Sequence, residues 1–185
     1  MSKNKGFSIK DMVFISLFAA VCCVCGIITI PIGAVPVTLA TFGIMATTMI
    51  LGEKRAIISV VLYIIIGLIG IPVFSGAQGG IGVLVGPTGG YIYSYIIMVP
   101  LVGIASKCLN KTLSSGMFTM LGCLAALFVC YLIGTTHYMI VMSVSGNGVG
   151  LFTALCTCVF PFIPFDIVKA VLAIIAAPRL KPLCK

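Results

Sequence analysis

Three long stretches of the chain, residues 12–52, 56–106 and 112–165, contain no charged side chain. A membrane-spanning helix needs about 20 apolar residues, so each of the first two stretches can hold two helices joined by a turn. The stretches are continuously apolar rather than alternating, which favours helices over a β-barrel. The pattern predicts a single-domain, all-α integral membrane protein with six spanning helices and one short extra helix. The six lie at about 12–30, 36–51, 56–72, 91–106, 117–137 and 164–180, and the short one at 151–160.

Composition and charge agree with a membrane protein. Of the 185 residues 61% are hydrophobic and only 8% are charged, against roughly 25% charged in a soluble domain. This excludes a soluble enzyme and a disordered chain. All but one of the eleven cations fall on one side of the predicted helices, and the positive-inside rule makes that side the cytoplasm, with both termini in it. These cations are Lys3, Lys5, Lys10, Lys54, Arg55, Lys107, Lys111, Arg179, Lys181 and Lys185.

The basic residues lie at every second end of the predicted helices, and a surface for nucleic acid would not follow helix boundaries in this way. No nucleic-acid partner is therefore expected. The nine cysteines are odd in number and lie mostly within predicted spans, which argues against a disulfide framework. No histidine accompanies the cluster at Cys22, Cys23 and Cys25 or the pair Cys156 and Cys158, as a zinc site of this kind would need. The sequence therefore predicts neither metal nor cofactor.

Residues 75–91, between the third and fourth predicted helices, include seven glycines. Irregular backbone of this kind cannot face lipid, and glycine allows a ligand to approach the backbone closely. We predict an outer loop that packs over the bundle or lines a wet cavity. It is not a P-loop, because no lysine followed by serine or threonine ends it. The second predicted helix carries Thr38, Thr41, Thr47 and Thr48, most of which are expected to bond back to their own helix. Thr38 lies at the outer end, where a ligand could meet it.

Asp166 and Lys169 are the only charged residues within a predicted span. Each would cost about 2.5–3.5 kcal/mol at a helix centre, and their i, i+3 spacing places them on one face. One explanation is structural: a salt bridge closing the bundle, or Lys169 reaching the outer headgroups. The other, favoured for intramembrane ionisable groups, is a ligand site. Such a site suits a small, mostly apolar ligand that offers N–H groups to Asp166 and an acceptor or anion to Lys169.

The first predicted helix carries small residues at i, i+3, i+4 and i+7, a spacing that lets helices approach closely in lipid. Packing inside the bundle and docking of another membrane protein both explain the stripe. Its members are Ser16, Ala19, Ala20 and Cys23.

Over residues 26–181 the sequence resembles the BioY family, the biotin-binding S components of energy-coupling factor transporters. Four segments carry the resemblance. The segments are 35–38 (VPVT), 61–74 (VLYIIIGLIGIPVF), 79–91 (GGIGVLVGPTGGY) and 161–170 (PFIPFDIVKA). The resemblance implies a six-helix bundle that holds biotin in an outward-facing pocket, with the Asp and Lys of the last segment in the ligand site. It further implies that the Gly-rich loop closes over the ligand. The substrate-binding residues that the resemblance implies are Asp166, Lys169, Gln78, Thr38, Thr88 and Tyr91.

Two positions depart from the family pattern. Ala40 stands where the family often has glutamine, which removes one polar contact. Phe165 stands where glycine often precedes the aspartate, and its ring would narrow or re-aim the pocket. The departures bear on the hydrogen bonding, not on the family.

Energy for transport must come from other proteins, because the chain has no Walker motif. The resemblance implies a transmembrane coupling protein and two cytosolic ATPases, with the small-residue stripe as the docking candidate, in a bacterial cell membrane. An S component for another vitamin and a stand-alone biotin transporter remain alternatives. An intramembrane enzyme built on Ser145 and His137 is disfavoured, because no G-x-S-x-G elbow surrounds the serine.

Overall fold

The structure is a computed structural model that describes residues 7–31, 35–107 and 113–184. These residues form eight α-helices, two short strands and a final 3-10 helix. The helices are α1 (Ile9–Ile27), α2 (Ala40–Leu51), α3 (Glu53–Leu68), α4 (Ile81–Val85), α5 (Gly89–Ser106), α6 (Leu113–Val144), α7 (Leu151–Cys158) and α8 (Ile163–Leu180). The strands are β1 (Thr29–Ile30) and β2 (Val37–Thr38), and the 3-10 helix is Lys181–Cys184.

α2 is the central helix of the bundle. All of its residues except Phe42 are buried, and it packs against α1, α3, α5 and α8. Gly43 lets α1 come close, since a Cβ at this position would lie 3.0 Å from the Cβ of Cys25. The first turn of α2 faces the first turn of α8 across the core, since Thr41 Oγ1 donates to Asp166 Oδ1 at 2.9 Å.

The outer surface of the bundle is apolar, as a lipid-facing surface must be. Large side chains such as Leu17, Phe128 and Leu172 are more than half exposed. Among the described residues, α1, α5 and residues 116–144 of α6 are long and apolar enough to span a membrane, and α7 with α8, bent by 44°, gives a fourth candidate. The chain is thus a multi-pass membrane protein. The predicted count of six is larger by two, because α2, with 12 residues, rises only about 18 Å and α3, with 16 residues, only about 24 Å.

One end of the bundle carries the basic residues. Arg55 pairs with Asp11 at 2.7 Å and Lys107 pairs with Glu53 at 3.2 Å, which ties α3 to α1 and to α5. The 3-10 helix after α8 lies beside the same α2–α3 junction. The N-terminal turns of α8 are consequently at the opposite end, as the charge pattern requires.

The predicted first helix, 12–30, is too long at its C-terminal end. α1 ends at Ile27, and Thr29 and Ile30 pair antiparallel with Thr38 and Val37. The all-α prediction therefore missed a two-stranded sheet, which also delays the start of the second helix from 36 to Ala40. The β-branched residues at 29, 30, 37 and 38 are the local reason for the extended backbone.

The predicted fifth helix, 117–137, is too short. α6 continues to Val144, because residues 138–144 are apolar apart from Ser143 and contain neither glycine nor proline. It ends in a Schellman motif at Gly146, whose φ is +77°, with Asn147 N–H donating to Met142 O. The outer loop therefore begins after the helix end, and His137 lies inside the helix.

The third helix begins and ends earlier in the structure than the predicted range 56–72. α3 runs from Glu53 to Leu68, and Gly70, with a φ of +102°, follows it. The Gly-rich segment that was predicted as a loop contains α4. The remaining helices, predicted at 91–106, 151–160 and 164–180, correspond to α5, α7 and α8.

Candidate functional site

Asp166 and Lys169 form a buried ion pair in the first two turns of α8. Lys169 Nζ lies 2.7 Å from Asp166 Oδ1, and the two residues are only 5% and 2% exposed. Pro164 stands in the first turn, where its missing N–H costs no hydrogen bond. The helix dipole favours a carboxylate at this position and disfavours a cation. The charge of Lys169 therefore depends on Asp166 and on neighbours outside α8.

Three other residues complete the polar network around the pair. Thr41 Oγ1 donates to Asp166 Oδ1 at 2.9 Å, and Tyr131 OH donates to Asp166 Oδ2 at 2.5 Å. Lys169 Nζ donates to the backbone oxygen of Thr38 at 2.6 Å. The pair thus joins α8 to β2, α2 and α6. These contacts are the ones expected if the salt bridge has a structural role in closing the bundle.

The same pair faces a cavity inside the bundle. Six of the eighteen described residues in the cavity wall are aromatic, and the wall includes both charged residues of the pair. A concave site with apolar walls and a few convergent polar groups is typical of small-molecule binding. The aromatic residues that line it are Tyr63, Phe74, Tyr91, Tyr95, Tyr131 and Phe162.

Comparison with known proteins identifies the family of this chain. The model of the BioY family matches residues 1–185. The chain belongs to the BioY family. Over 172 residues it is 38% identical to the "probable biotin transporter BioY" of Pyrococcus horikoshii, a match that covers 93% of this chain and 96% of the relative. It is 32% identical to the "biotin transporter BioY" of Thermotoga maritima, covering 94% and 97%.

A crystal structure of the S-component for biotin from an ECF-type ABC transporter has the same fold as this BioY-family chain. The TM-score is 0.82 at 27% sequence identity, and the match covers 98% of this chain and 95% of the other. Agreement over nearly the whole of both chains means that this chain has a known S-component fold.

Three further residues predicted for the BioY-type site, Thr38, Thr88 and Tyr91, lie in the cavity wall beside the charged pair. Thr38 offers its backbone oxygen to Lys169, while its hydroxyl accepts a hydrogen bond from Ala40 N–H at 3.2 Å. Thr38 thus contacts Lys169 through its main chain. The structure brings five of the six predicted site residues together.

Gln78 is the exception. Its side chain is exposed and is not among the described residues that line the cavity. Its backbone oxygen accepts a hydrogen bond from Phe74 N–H at 2.9 Å, and the two residues form an isolated antiparallel bridge. Gln78 thus shapes a tight hairpin, and the structure does not bring its amide to the cavity.

Tyr91 presents its ring to the cavity and its hydroxyl to other elements. The hydroxyl donates to Cys158 O at 3.3 Å and lies 3.4 Å from Thr135 Oγ1. A Cβ at Gly134 would lie 2.3 Å from the Tyr91 ring, so glycine is needed there for the ring to fit against α6. Tyr91 consequently supplies an apolar wall and connects it to α6 and α7.

The two departures from the family pattern have different outcomes. Ala40 lines the cavity, so the position of the missing polar contact is inside the site. Phe165 is 40% exposed and is absent from the described cavity wall. The expectation that its ring narrows or re-aims the pocket is wrong for this structure, because the α8 register turns position 165 towards the outside while it turns Asp166 inwards.

Sequence reasoning missed Thr41 and Tyr131. Thr48 does bond back to its own helix, with Oγ1 2.7 Å from Ile44 O, as expected. Thr41 instead donates across the core to Asp166. The available signal for Tyr131 was a hydroxyl within residues 120–133 of α6, an otherwise apolar run in which it needs a partner.

The Gly-rich segment packs tightly on its neighbours. A Cβ at Gly79 would lie 2.5 Å from Ile71 O, and one at Gly89 would lie 1.8 Å from Leu84 O. His137 Nε2 lies 3.1 Å from Gly86 O and so links the segment to α6. The lone histidine therefore positions the segment that follows α4, next to Thr88 in the cavity wall.

The small-residue stripe of α1 does not form one exposed surface. Ser16 and Ala20 are exposed, whereas Ala19 and Cys23 are buried within the chain. Ser16 Oγ donates to Met12 O at 3.0 Å, so its polar group is satisfied locally. Two members of the stripe pack inside the bundle, and the other two remain accessible to a partner.

Proposed function

We propose that the chain binds biotin in this cavity and acts as the S component of an ATP-driven biotin uptake system. The observation that carries the proposal is the buried Asp166–Lys169 pair facing an aromatic cavity in a chain of the BioY family. The crystal structure with the same fold is described as the S-component for biotin, which supports the choice of vitamin.

The chemistry of biotin suits the cavity. Its fused rings and alkyl chain are apolar and match the aromatic walls. Its ureido N–H groups suit the carboxylate of Asp166, and either its ureido oxygen or its valerate carboxylate suits the ammonium of Lys169. Because Thr41 and Tyr131 already donate to the Asp166 carboxylate, a ligand exchanges some of these hydrogen bonds instead of creating the site.

We further propose six membrane crossings with both termini in the cytoplasm of a bacterial cell and with the Gly-rich segment outside. The basic residues at the end opposite Asp166 support this orientation. A transmembrane coupling protein and two cytosolic ATPases would supply the energy, since the chain lacks a nucleotide-binding motif.

Titration of the purified chain with biotin tests the vitamin. We expect saturable binding of one biotin per chain by calorimetry in detergent, and no heat of binding with thiamine or riboflavin. A well-folded chain that ignores biotin but binds one of the other vitamins would contradict the proposed substrate and leave the S-component role in place.

The exposed half of the α1 stripe is the proposed docking surface. We expect Ala20→Trp to leave biotin binding unchanged and to abolish co-purification with the coupling protein, because a bulky ring prevents close helix approach. Leu132→Trp is the matched control, since Leu132 is also exposed but lies on α6. Normal co-purification of Ala20→Trp would contradict the docking proposal.

A further inference from the structure

Ser75 lies in the hairpin after α3, and its hydroxyl has an unusual position. Ser75 Oγ is buried, and no hydrogen-bond partner for it exists among the described residues. Ser75 also lines the cavity that contains Asp166 and Lys169. Nearly all buried polar groups in proteins are hydrogen-bonded, so an unpaired one calls for a specific explanation.

The backbone holds Ser75 in this position. Phe74 and Gln78 bridge across the hairpin, and Gly76 and Ala77 turn it with positive φ values of 69° and 54°. Gly76 N–H donates to Thr29 Oγ1 at 3.2 Å, which ties the turn to β1. The residue before the turn, Phe74, is completely buried. These contacts hold the backbone of Ser75 beside the cavity.

The other polar groups of the cavity differ from Ser75. The carboxylate of Asp166 and the ammonium of Lys169 are hydrogen-bonded without a ligand. All three N–H groups of Lys169 are used in this way, so a ligand that takes one of them displaces a protein acceptor. Ser75 Oγ has no partner among the described residues that a ligand would displace. Ser75 also comes from the segment between α3 and α4, away from the three helices that hold the pair, so it can contact a different part of the ligand.

We infer that Ser75 Oγ hydrogen-bonds the bound substrate and is a specificity-determining residue of the site. This rests on the proposed function and extends it, because it assigns to the α3–α4 hairpin a polar contact that the sequence had assigned to Gln78. A ligand that lacks a polar group opposite Ser75 would leave this hydroxyl unpaired and would bind less well.

The test compares two serine-to-alanine variants. Ser75→Ala is expected to weaken biotin binding about three- to tenfold while leaving the melting temperature of the ligand-free chain unchanged or raised, because an unpaired buried hydroxyl is removed. Ser59→Ala is the matched control. Ser59 Oγ is equally buried but donates to Ile15 O at 2.9 Å and does not line the described cavity, so this variant should melt earlier and bind biotin normally.

The outcomes separate the inference from the proposed function. If the parent and Ser75→Ala bind biotin equally well, the inference is overturned. The Ser75 hydroxyl then bonds to a trapped water or stays unpaired when biotin is bound. A Ser75→Ala variant that melts earlier as the control does, with unchanged affinity, overturns it in favour of a structural role. Absence of biotin binding by the folded parent overturns the proposed function, and the inference with it.

Discussion

Asp166→Ala is expected to weaken biotin binding by about two orders of magnitude or more. The change removes the acceptor for the proposed ureido N–H groups and leaves Lys169 as an uncompensated buried cation, and breaking one partner of such a pair typically costs about 2–5 kcal/mol. Thr41 and Tyr131 also lose their acceptor. Calorimetric titration with biotin of the detergent-purified variant measures the loss, and its melting temperature reports how much stability is lost with it.

Asp11→Ala provides the matched control for this result. Asp11 also pairs with a cation at 2.7 Å, but it lies at the basic end of the bundle and its partner Arg55 is partly exposed. Exposed pairs contribute about 0–1 kcal/mol, so biotin affinity should stay within about twofold of the parent. Parental affinity in a folded Asp166→Ala chain would assign the α8 pair to a bridging role and remove it from the ligand site.

The charged residues of the site could be found from the sequence because a charge inside an apolar run has few explanations. Asp166 and Lys169 are charged residues of this kind, and both lie in the wall of the cavity. The neutral residues could not be found in the same way. Thr41 and Thr48 occur in one helix with the same side chain, yet one donates across the core and the other to its own helix. Only the packing of α2 against α8 separates them.

Loop geometry limited the prediction of the remaining site residues. The sequence indicated that the Gly-rich segment meets the cavity, and Thr88 and Tyr91 do lie there. It did not indicate that Ala77, which is not a glycine, adopts a φ of +54° and helps to turn the hairpin. That turn directs Ser75 inwards and Gln78 outwards. The family resemblance implied Gln78 as a site residue, whereas the backbone conformation places Ser75 in the cavity wall.

Gly67→Ala is expected to lower both the stability of the chain and its affinity for biotin, because it displaces an aromatic ring of the cavity wall. A Cβ at position 67 would lie 2.0 Å from Cζ of Phe74. Phe74 is completely buried and packs edge-on against Tyr63, with ring centroids 5.6 Å apart. The Phe74 ring has to move, and both rings line the cavity. Overpacking of this kind costs about 1–3 kcal/mol, and displacement of the wall should weaken biotin binding by about tenfold or more.

Gly82→Ala isolates the steric cause of this effect. Gly82 is helical and exposed, and a Cβ there would meet no atom within 4 Å. The same substitution should therefore be neutral or slightly stabilising, because alanine has the higher helix propensity, and biotin affinity should not change. Calorimetry and thermal unfolding of both variants in the same detergent give the comparison. If Gly67→Ala binds biotin as the parent does, the Phe74 wall can shift without consequence, and the ligand does not depend on the position of this ring.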